Sequence, residues 1–162
     1  MNLCRCVRAV APRAVVALAI TASGYGCGNG NATGNATDYS LTFSVEPGDA
    51  VPVTIGALQF EVTYLGNNGG FIGSGDQIDC VVLVDAIVAG NDPRQDVARI
   101  GMISLQGFHA PSPIIRCGFR TADDLAPESF RIEVLDASDT NSESLDPPPV
   151  VVLSSMAPGS RD

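Results

Sequence analysis

Residues 80–89, CVVLVDAIVA, form the most apolar run of the chain beyond its N-terminal segment, with nine apolar residues in ten. The run lies between GSGDQID and GNDPRQD, and both flanks are rich in turn-forming residues. It is too short to cross a membrane, which takes ~20 apolar residues. A short apolar run between turn signals predicts a strand buried on both faces. We therefore expect the rest of the fold to be laid around this strand.

Apolar and polar residues alternate in several short segments on either side of that run. The clearest alternation is in residues 58–64, and residues 39–45 and 130–134 repeat it. Such alternation is typical of half-buried strands. Gly101 and Gly107 argue against a helix over residues 97–108, because glycine costs a helix ~1 kcal/mol relative to alanine. The pattern predicts an all-β fold, an antiparallel β-sandwich of seven to nine short strands.

The charge of the chain is acidic throughout its length after residue 26. The 162 residues carry nine Arg and no Lys against 18 acidic residues, for a net charge of −9. Three of the nine Arg lie in the first 26 residues, so the remainder has six Arg and a net charge of −12. Such a surface repels phosphate backbones, and we expect no nucleic-acid partner.

Residues 1–26 have the layout of an export signal. Arg5, Arg8 and Arg13 make a basic start, residues 14–22 make a nine-residue apolar core, and small residues follow. Ending in Gly26–Cys27, the segment resembles the signal of bacterial lipoproteins, although Gly24 stands where that family usually has Leu.

The lipoprotein resemblance implies that Cys27 becomes the first mature residue and carries acyl chains such as palmitate. Gly28 after it resembles sorting to the outer membrane, which would make the protein an outer-membrane lipoprotein of the bacterial cell envelope. An ordinary cleaved signal, giving a secreted or periplasmic protein, is the alternative.

The sequence divides into four parts. After the signal peptide of residues 1–26 comes a flexible linker over residues 27–38, with the low-complexity composition of a tether. The eleven residues 28–38 reach about 17–20 Å. The β-sandwich domain is expected over residues 39–156, and residues 157–162 are expected to be a disordered tail.

Two further stretches resemble cohesin modules, which share a jelly-roll sandwich with several carbohydrate-binding modules. GALQFEVTYLG at residues 56–66 is similar to their opening strands, and residues 129–152 are similar to their last two strands and the acidic loop between them. The resemblance implies a jelly-roll and a non-catalytic binding module that presents a sandwich face to a protein or polysaccharide partner. Cys80 and Cys117 are not part of the cohesin pattern.

Cys80 and Cys117 are expected to form a structural disulfide. An exported chain lies in an oxidising compartment, where cysteines on packed strands usually pair. Cys4 and Cys6 would leave with the signal peptide. A metal site would need more ligands than these two and His109, the single histidine of the chain.

The acidic loop at residues 136–146 offers oxygen ligands at alternate positions. Asp139, Asn141 and Glu143 have a spacing that suits calcium, although the loop lacks the glycine and the final glutamate of an EF-hand. A solvated turn is the preferred interpretation. We therefore predict no cofactor, with calcium as the alternative.

No catalytic motif stands out in the sequence. Neither Gly-x-Ser-x-Gly nor His-x-x-x-His occurs. Asp76, Asp79 and Asp85 could supply the carboxylate pair of a glycoside hydrolase, but nothing in the sequence brings two of them together. We expect the protein not to be an enzyme.

Sugar-binding faces usually stack rings on planar aromatic side chains. The chain has no Trp, and most of its Phe and Tyr residues lie on strand faces assigned to the core. Phe71 and Phe108 are the exposed candidates for ligand binding. The preferred function is a surface-tethered binding or adhesion module; the alternatives are a structural envelope lipoprotein and a carboxylate-pair glycosidase.

Overall fold

The computed structural model describes residues 36–47 and 54–159, apart from the side chains of residues 92 and 93. The expected signal peptide, Cys27, the linker up to residue 35 and the last three residues lie outside the described residues. Within the described part, no helix is long and apolar enough to span a bilayer.

The described residues form eleven strands and one short 3-10 helix over Pro127–Ser129. The strands are β1 Thr37–Glu46, β2 Thr54–Tyr64, β3 Gly69–Phe71, β4 Gly73–Ser74, β5 Gln77–Ile78, β6 Cys80–Val82, β7 Ile87–Arg94, β8 Val97–His109, β9 Ser112–Thr121, β10 Phe130–Asp139 and β11 Val150–Pro158.

These strands make two antiparallel sheets, which confirms the predicted all-β sandwich. Sheet A has the order β11-β1-β9-β3, and β6 also pairs with β9. Sheet B has the order β10-β2-β8-β7-β5-β4. The inward-facing residues of both sheets form one apolar core, because every second side chain of a strand points to the same face.

The fully buried side chains come from the long central strands. Phe43 of β1 and Phe60 of β2 are 0% exposed and their rings meet at 6.1 Å between centroids. Phe119 of β9 contacts the rings of Tyr64, Phe71 and Phe130 at 4.9–5.2 Å. Aromatic pairs at such distances and tilts stabilise a core beyond the effect of buried area alone.

The prediction of one central strand over residues 80–89 is wrong. The run divides into β6, which pairs in sheet A, and the start of β7, which pairs in sheet B. Between them the Ala86 amide donates to the Val84 carbonyl at 2.9 Å, a tight turn that carries the chain across. Val81 is 62% and Ile87 78% exposed, so the run lies at the border of both sheets. The central strands are β1 and β9 in sheet A and β2 and β8 in sheet B.

The strand count and the domain boundaries also differ from expectation. The glycine-rich residues 66–79, whose composition predicts a loop, contain β3, β4 and β5, which raises the count above nine. Gly69 allows this path, since a Cβ atom there would lie 2.8 Å from the Phe119 ring. The strands begin at Thr37 and end at Pro158, two residues beyond the expected sandwich at each end. Ala157 and Pro158 therefore belong to β11 and not to a disordered tail.

Candidate functional site

The outer face of sheet B carries an exposed aliphatic pair. Ile87 of β7 and Ile103 of β8 are directly opposite in the antiparallel register, and they are 78% and 58% exposed. Leu105, two residues further along β8, is 92% exposed. Side chains opposite each other on neighbouring strands have Cβ atoms ~4.5–5.5 Å apart and form one continuous surface. The pair thus places two large apolar side chains side by side in water.

A shallow groove of about 300 Å³ lies beside this pair. Small residues from three neighbouring strands line it, namely Ala57 of β2, Ala89 of β7 and Gly101 of β8. A Cβ atom added at Gly101 would meet nothing closer than the Ala89 carbonyl oxygen at 3.9 Å. A side chain at Gly101 would therefore extend into open space in the groove, which Ile87 and Ile103 also line.

Polar groups border the aliphatic pair and the groove. Gln59 and Asp136 line the groove. Further along β2 and β8, the Arg99 guanidinium donates to the Glu61 carboxylate at 2.7 Å. An ion pair this exposed contributes ~1 kcal/mol or less to stability. The face therefore has an apolar centre with a polar rim, which is the usual composition of a protein-binding surface.

Sequence reasoning missed this face. In β8 the side chains of Arg99, Gly101 and Ile103 lie on the outer side, and those of Ile100 and Met102 are buried. Apolar residues thus occur on both faces of the strand, so alternation does not reveal which face meets water. Ile103 and the charged Arg99 are separated by an even number of positions, so their side chains lie on the same face of the strand. This spacing is the signal that could have indicated that Ile103 points outward.

The prediction that Phe71 and Phe108 are exposed is wrong. They are 8% and 5% exposed and belong to the core. Phe71 lies in β3 opposite Phe119, and the two rings meet edge to face at 5.2 Å. Phe108 is still within β8, opposite Ile55. Neither ring is available for stacking on a sugar.

The expected disulfide between Cys80 and Cys117 is present. The two cysteines are directly opposite in the register of β6 and β9, with Cα atoms 4.1 Å apart. The bond therefore joins neighbouring strands of sheet A and does not link the two sheets.

The acidic loop folds into a compact turn around Asp139. Its Oδ1 atom accepts hydrogen bonds from the backbone amides of Asn141 and Glu143, both at 2.8 Å, and Oδ2 accepts one from the Asn141 side chain at 3.1 Å. The Glu143 amide in particular lowers the pKa of the Asp139 carboxyl group. No group of three or more acidic, His or Cys side chains suited to a metal ion occurs in the described part of the chain. Asp139, Asn141 and Glu143 thus lie in one turn, where both carboxylate oxygens of Asp139 accept hydrogen bonds from the turn itself.

A second network, which the sequence did not indicate, surrounds the hydroxyl group of Tyr64. That hydroxyl donates to Asp123 at 2.8 Å, and Asp123 also accepts from the backbone and side-chain amides of Asn68 at 3.2 and 2.9 Å. Hydrogen bonds from Asn68 and Tyr64 lower the pKa of Asp123, whereas burial raises the pKa of Tyr64. The network fixes the segment after β9 against the segment after β2.

The cleft beside β5 and β7 contains one of the three carboxylates named for a glycosidase. Asp76 lines this cleft, but neither Asp79 nor Asp85 does. His109 lies on the exposed end of β8, with its Nδ1 atom 3.3 Å from the Thr54 hydroxyl. No carboxylate pair is thus assembled around Asp76 by the residues that line this cleft.

Comparison of the chain with protein-family models, with curated proteins and with solved structures finds no match in any of the three.

Proposed function

We propose that the protein is a non-catalytic binding module that presents the outer face of sheet B to a protein partner. The observation that carries this proposal is the cross-strand pair Ile87 and Ile103, both more than half exposed beside an apolar groove. Contiguous apolar surface on a folded domain is costly in water and usually marks an interaction site. Burial of one such side chain in an interface contributes ~1.5–3 kcal/mol.

A protein partner suits this face better than a polysaccharide. Most of the residues that line the groove are apolar, and none of them is aromatic. Sugar rings are recognised mainly by stacking on aromatic faces, whereas aliphatic side chains from a protein partner fill a shallow apolar groove.

The test is capture of envelope proteins from source cells on the immobilised full chain. We expect Ile87→Glu and Ile103→Glu to reduce the captured partner by about 10-fold or more, because each places a charge in the apolar centre. Val81→Glu is the matched control, since Val81 is 62% exposed but lies in sheet A. Equal loss with Val81→Glu would contradict the proposal. So would binding on a glycan array that is unchanged by Ile103→Glu, because the ligand would then be a polysaccharide bound elsewhere.

We further propose that the module is held at the bacterial outer membrane by acyl chains on Cys27. The support is the sequence of the first 28 residues, with its basic start, its apolar core and Gly26–Cys27. Palmitate labelling of the protein in bacteria should disappear in Cys27→Ser and persist in a Cys4→Ser and Cys6→Ser variant. Labelling that survives Cys27→Ser would exclude this anchor.

A further inference from the structure

Among the described strands, β11 is the outermost of sheet A and pairs with β1 alone. Apart from the β1 ladder, no backbone hydrogen bond joins β11 to another described segment. Its outward N–H and C=O groups thus form an open row along Val150–Pro158, interrupted by a register shift at Ser154. Such a row is a template for pairing with a further strand.

The other long border of the sandwich is protected. The acidic loop folds back onto the outer side of β10, where Ser144 bridges to Ser138 and the Leu145 amide donates to the Ala137 carbonyl at 2.9 Å. The part of β10 beyond this bridge carries Arg131 and Glu133. Charges and covering loops are the usual means by which proteins prevent edge-to-edge pairing.

The remaining border strands offer shorter templates. β4 has two residues, β3 and β6 have three each, and β7 is open only before Asn91, where Gln77 of β5 pairs with it. Among the borders that the structure describes, β11 is the longest open one, and it carries no charge.

The composition of β11 favours a second copy of the same chain as the occupant. Its sequence, VVVLSSMAP, contains no charged residue, in a chain of net charge −9. Two such acidic molecules repel each other, and the repulsion is smallest where their uncharged borders meet. Antiparallel pairing about a two-fold axis places β11 of one copy beside β11 of the other. Each strand then supplies the hydrogen-bond partners that the open edge of the other strand lacks.

We propose that two copies associate through β11, which joins their five-stranded sheets into one continuous antiparallel sheet. A single strand pair belongs to the small interfaces, so we expect a dissociation constant of about 10–1000 µM. This association uses a different surface from the outer face of sheet B and does not depend on the partner proposed for that face.

Sedimentation velocity over a concentration series tests the proposal, with the full chain carrying Cys27→Ser so that no acyl chain is attached. We expect concentration-dependent dimers. The double variant Val150→Lys and Ser155→Lys, at two exposed positions of β11, should weaken the association by about 10-fold or more, since lysines on both copies repel each other and block the edge. Leu135→Lys is the matched control, because Leu135 of β10 is 43% exposed and Val150 is 48% exposed; it should leave the dimer unchanged.

Hydrogen exchange gives a readout that does not depend on any variant. The backbone amides from Val150 to Ala157 should become more protected as the concentration of the Cys27→Ser chain rises, and those of Phe130–Asp139 should not. A monomer at all concentrations up to about 1 mM would overturn the proposal, as that is the weak limit of the expected affinity. Dimers that persist in the lysine variant, or that are lost instead with Ile103→Glu, would also overturn it.

Discussion

At the residue scale, the Asp123 carboxylate accepts three hydrogen bonds at the edge of the core. It accepts from the Tyr64 hydroxyl and from two nitrogen atoms of Asn68, and each of these bonds favours its ionised form. Tyr64 is 3% exposed, so its hydroxyl group depends on Asp123 and Thr121 for partners. Loss of the charge on Asp123 therefore weakens a hydrogen bond of Tyr64 at the edge of the core.

The lowered pKa of Asp123 predicts a pH dependence of stability. A carboxyl group whose pKa is lower in the folded state stabilises the fold above its unfolded pKa, ~3.9, and this contribution is lost as the pH falls through the folded pKa. We expect Asp123→Asn to lower the melting temperature at pH 7, and the difference from the wild type to shrink as the pH falls below about 4. Thermal unfolding followed by circular dichroism at a series of pH values measures this.

Asp124→Asn is the control, because Asp124 is the exposed neighbour of Asp123. It should follow the wild-type profile. A constant difference between Asp123→Asn and the wild type from pH 7 to pH 3 would show that the ionisation of Asp123 does not contribute.

Some residue assignments follow from the sequence and others do not. The pairing of Cys80 with Cys117 was predictable, because the expected export left them as the pair within the folded part. The burial of Phe71 was not, since its glycine-rich surroundings resemble a loop and only the pairing of β3 with β9 places it opposite Phe119. The Tyr64–Asp123 bond joins residues 59 apart, and no local pattern indicates it.

At the element scale, the close approach of β2 to the end of β10 depends on Gly56. A Cβ atom at Gly56 would lie 2.3 Å from the Asp139 carbonyl oxygen, which is far inside contact distance. Both strands have a register shift nearby, between Ser138 and Asp139 on one side and between Ile55 and Ala57 on the other. Bulges of this kind bend strands and bring their backbones into unusual proximity.

Gly56→Ala should therefore lower the free energy of unfolding by about 1–3 kcal/mol, as overpacking forces the backbone to move. Gly101→Ala is the matched control in sheet B, because its new methyl group would touch nothing closer than 3.9 Å. We expect a change within about 0.5 kcal/mol for Gly101→Ala. Urea unfolding at equilibrium compares the two variants, and equal effects would contradict the role assigned to Gly56.

The segment over residues 80–89 illustrates the limit of periodicity at this scale. A continuous apolar run is compatible with one buried strand or with two border strands that share a turn. Which of the two arrangements forms depends on the pairing strands. Cys80–Val82 pairs with β9, and the residues from Ile87 onward pair with β8. Strand existence was largely predictable from alternation, whereas the sheet to which each strand belongs depends on contacts distant in sequence.

At the scale of the whole molecule, the disulfide closes a loop with a sequence separation of 37. Cross-linking a loop of this size restricts the unfolded chain and stabilises the folded state by about 3–4 kcal/mol. We expect the double variant Cys80→Ala and Cys117→Ala to lose about that much in urea unfolding, and the wild type to lose a similar amount under reducing conditions. An unchanged unfolding midpoint after complete reduction would contradict this expectation.

The fold class, the strand-rich composition and the presence of the disulfide were accessible from the sequence. The candidate binding face was not, because Ile87 and Ile103 are remote in sequence and become neighbours only through the register of β7 and β8.

The position of the sulfur bridge has one more consequence. Cys80 and Cys117 both belong to sheet A, so within the described residues no covalent link apart from the main chain joins the two sheets. Reduction would loosen β6 at the edge of sheet A, while the apolar core would still hold the two sheets together. Ile103 and its groove lie on sheet B, whose described strands contain no cysteine, so we expect a reducing agent to leave the proposed partner binding intact.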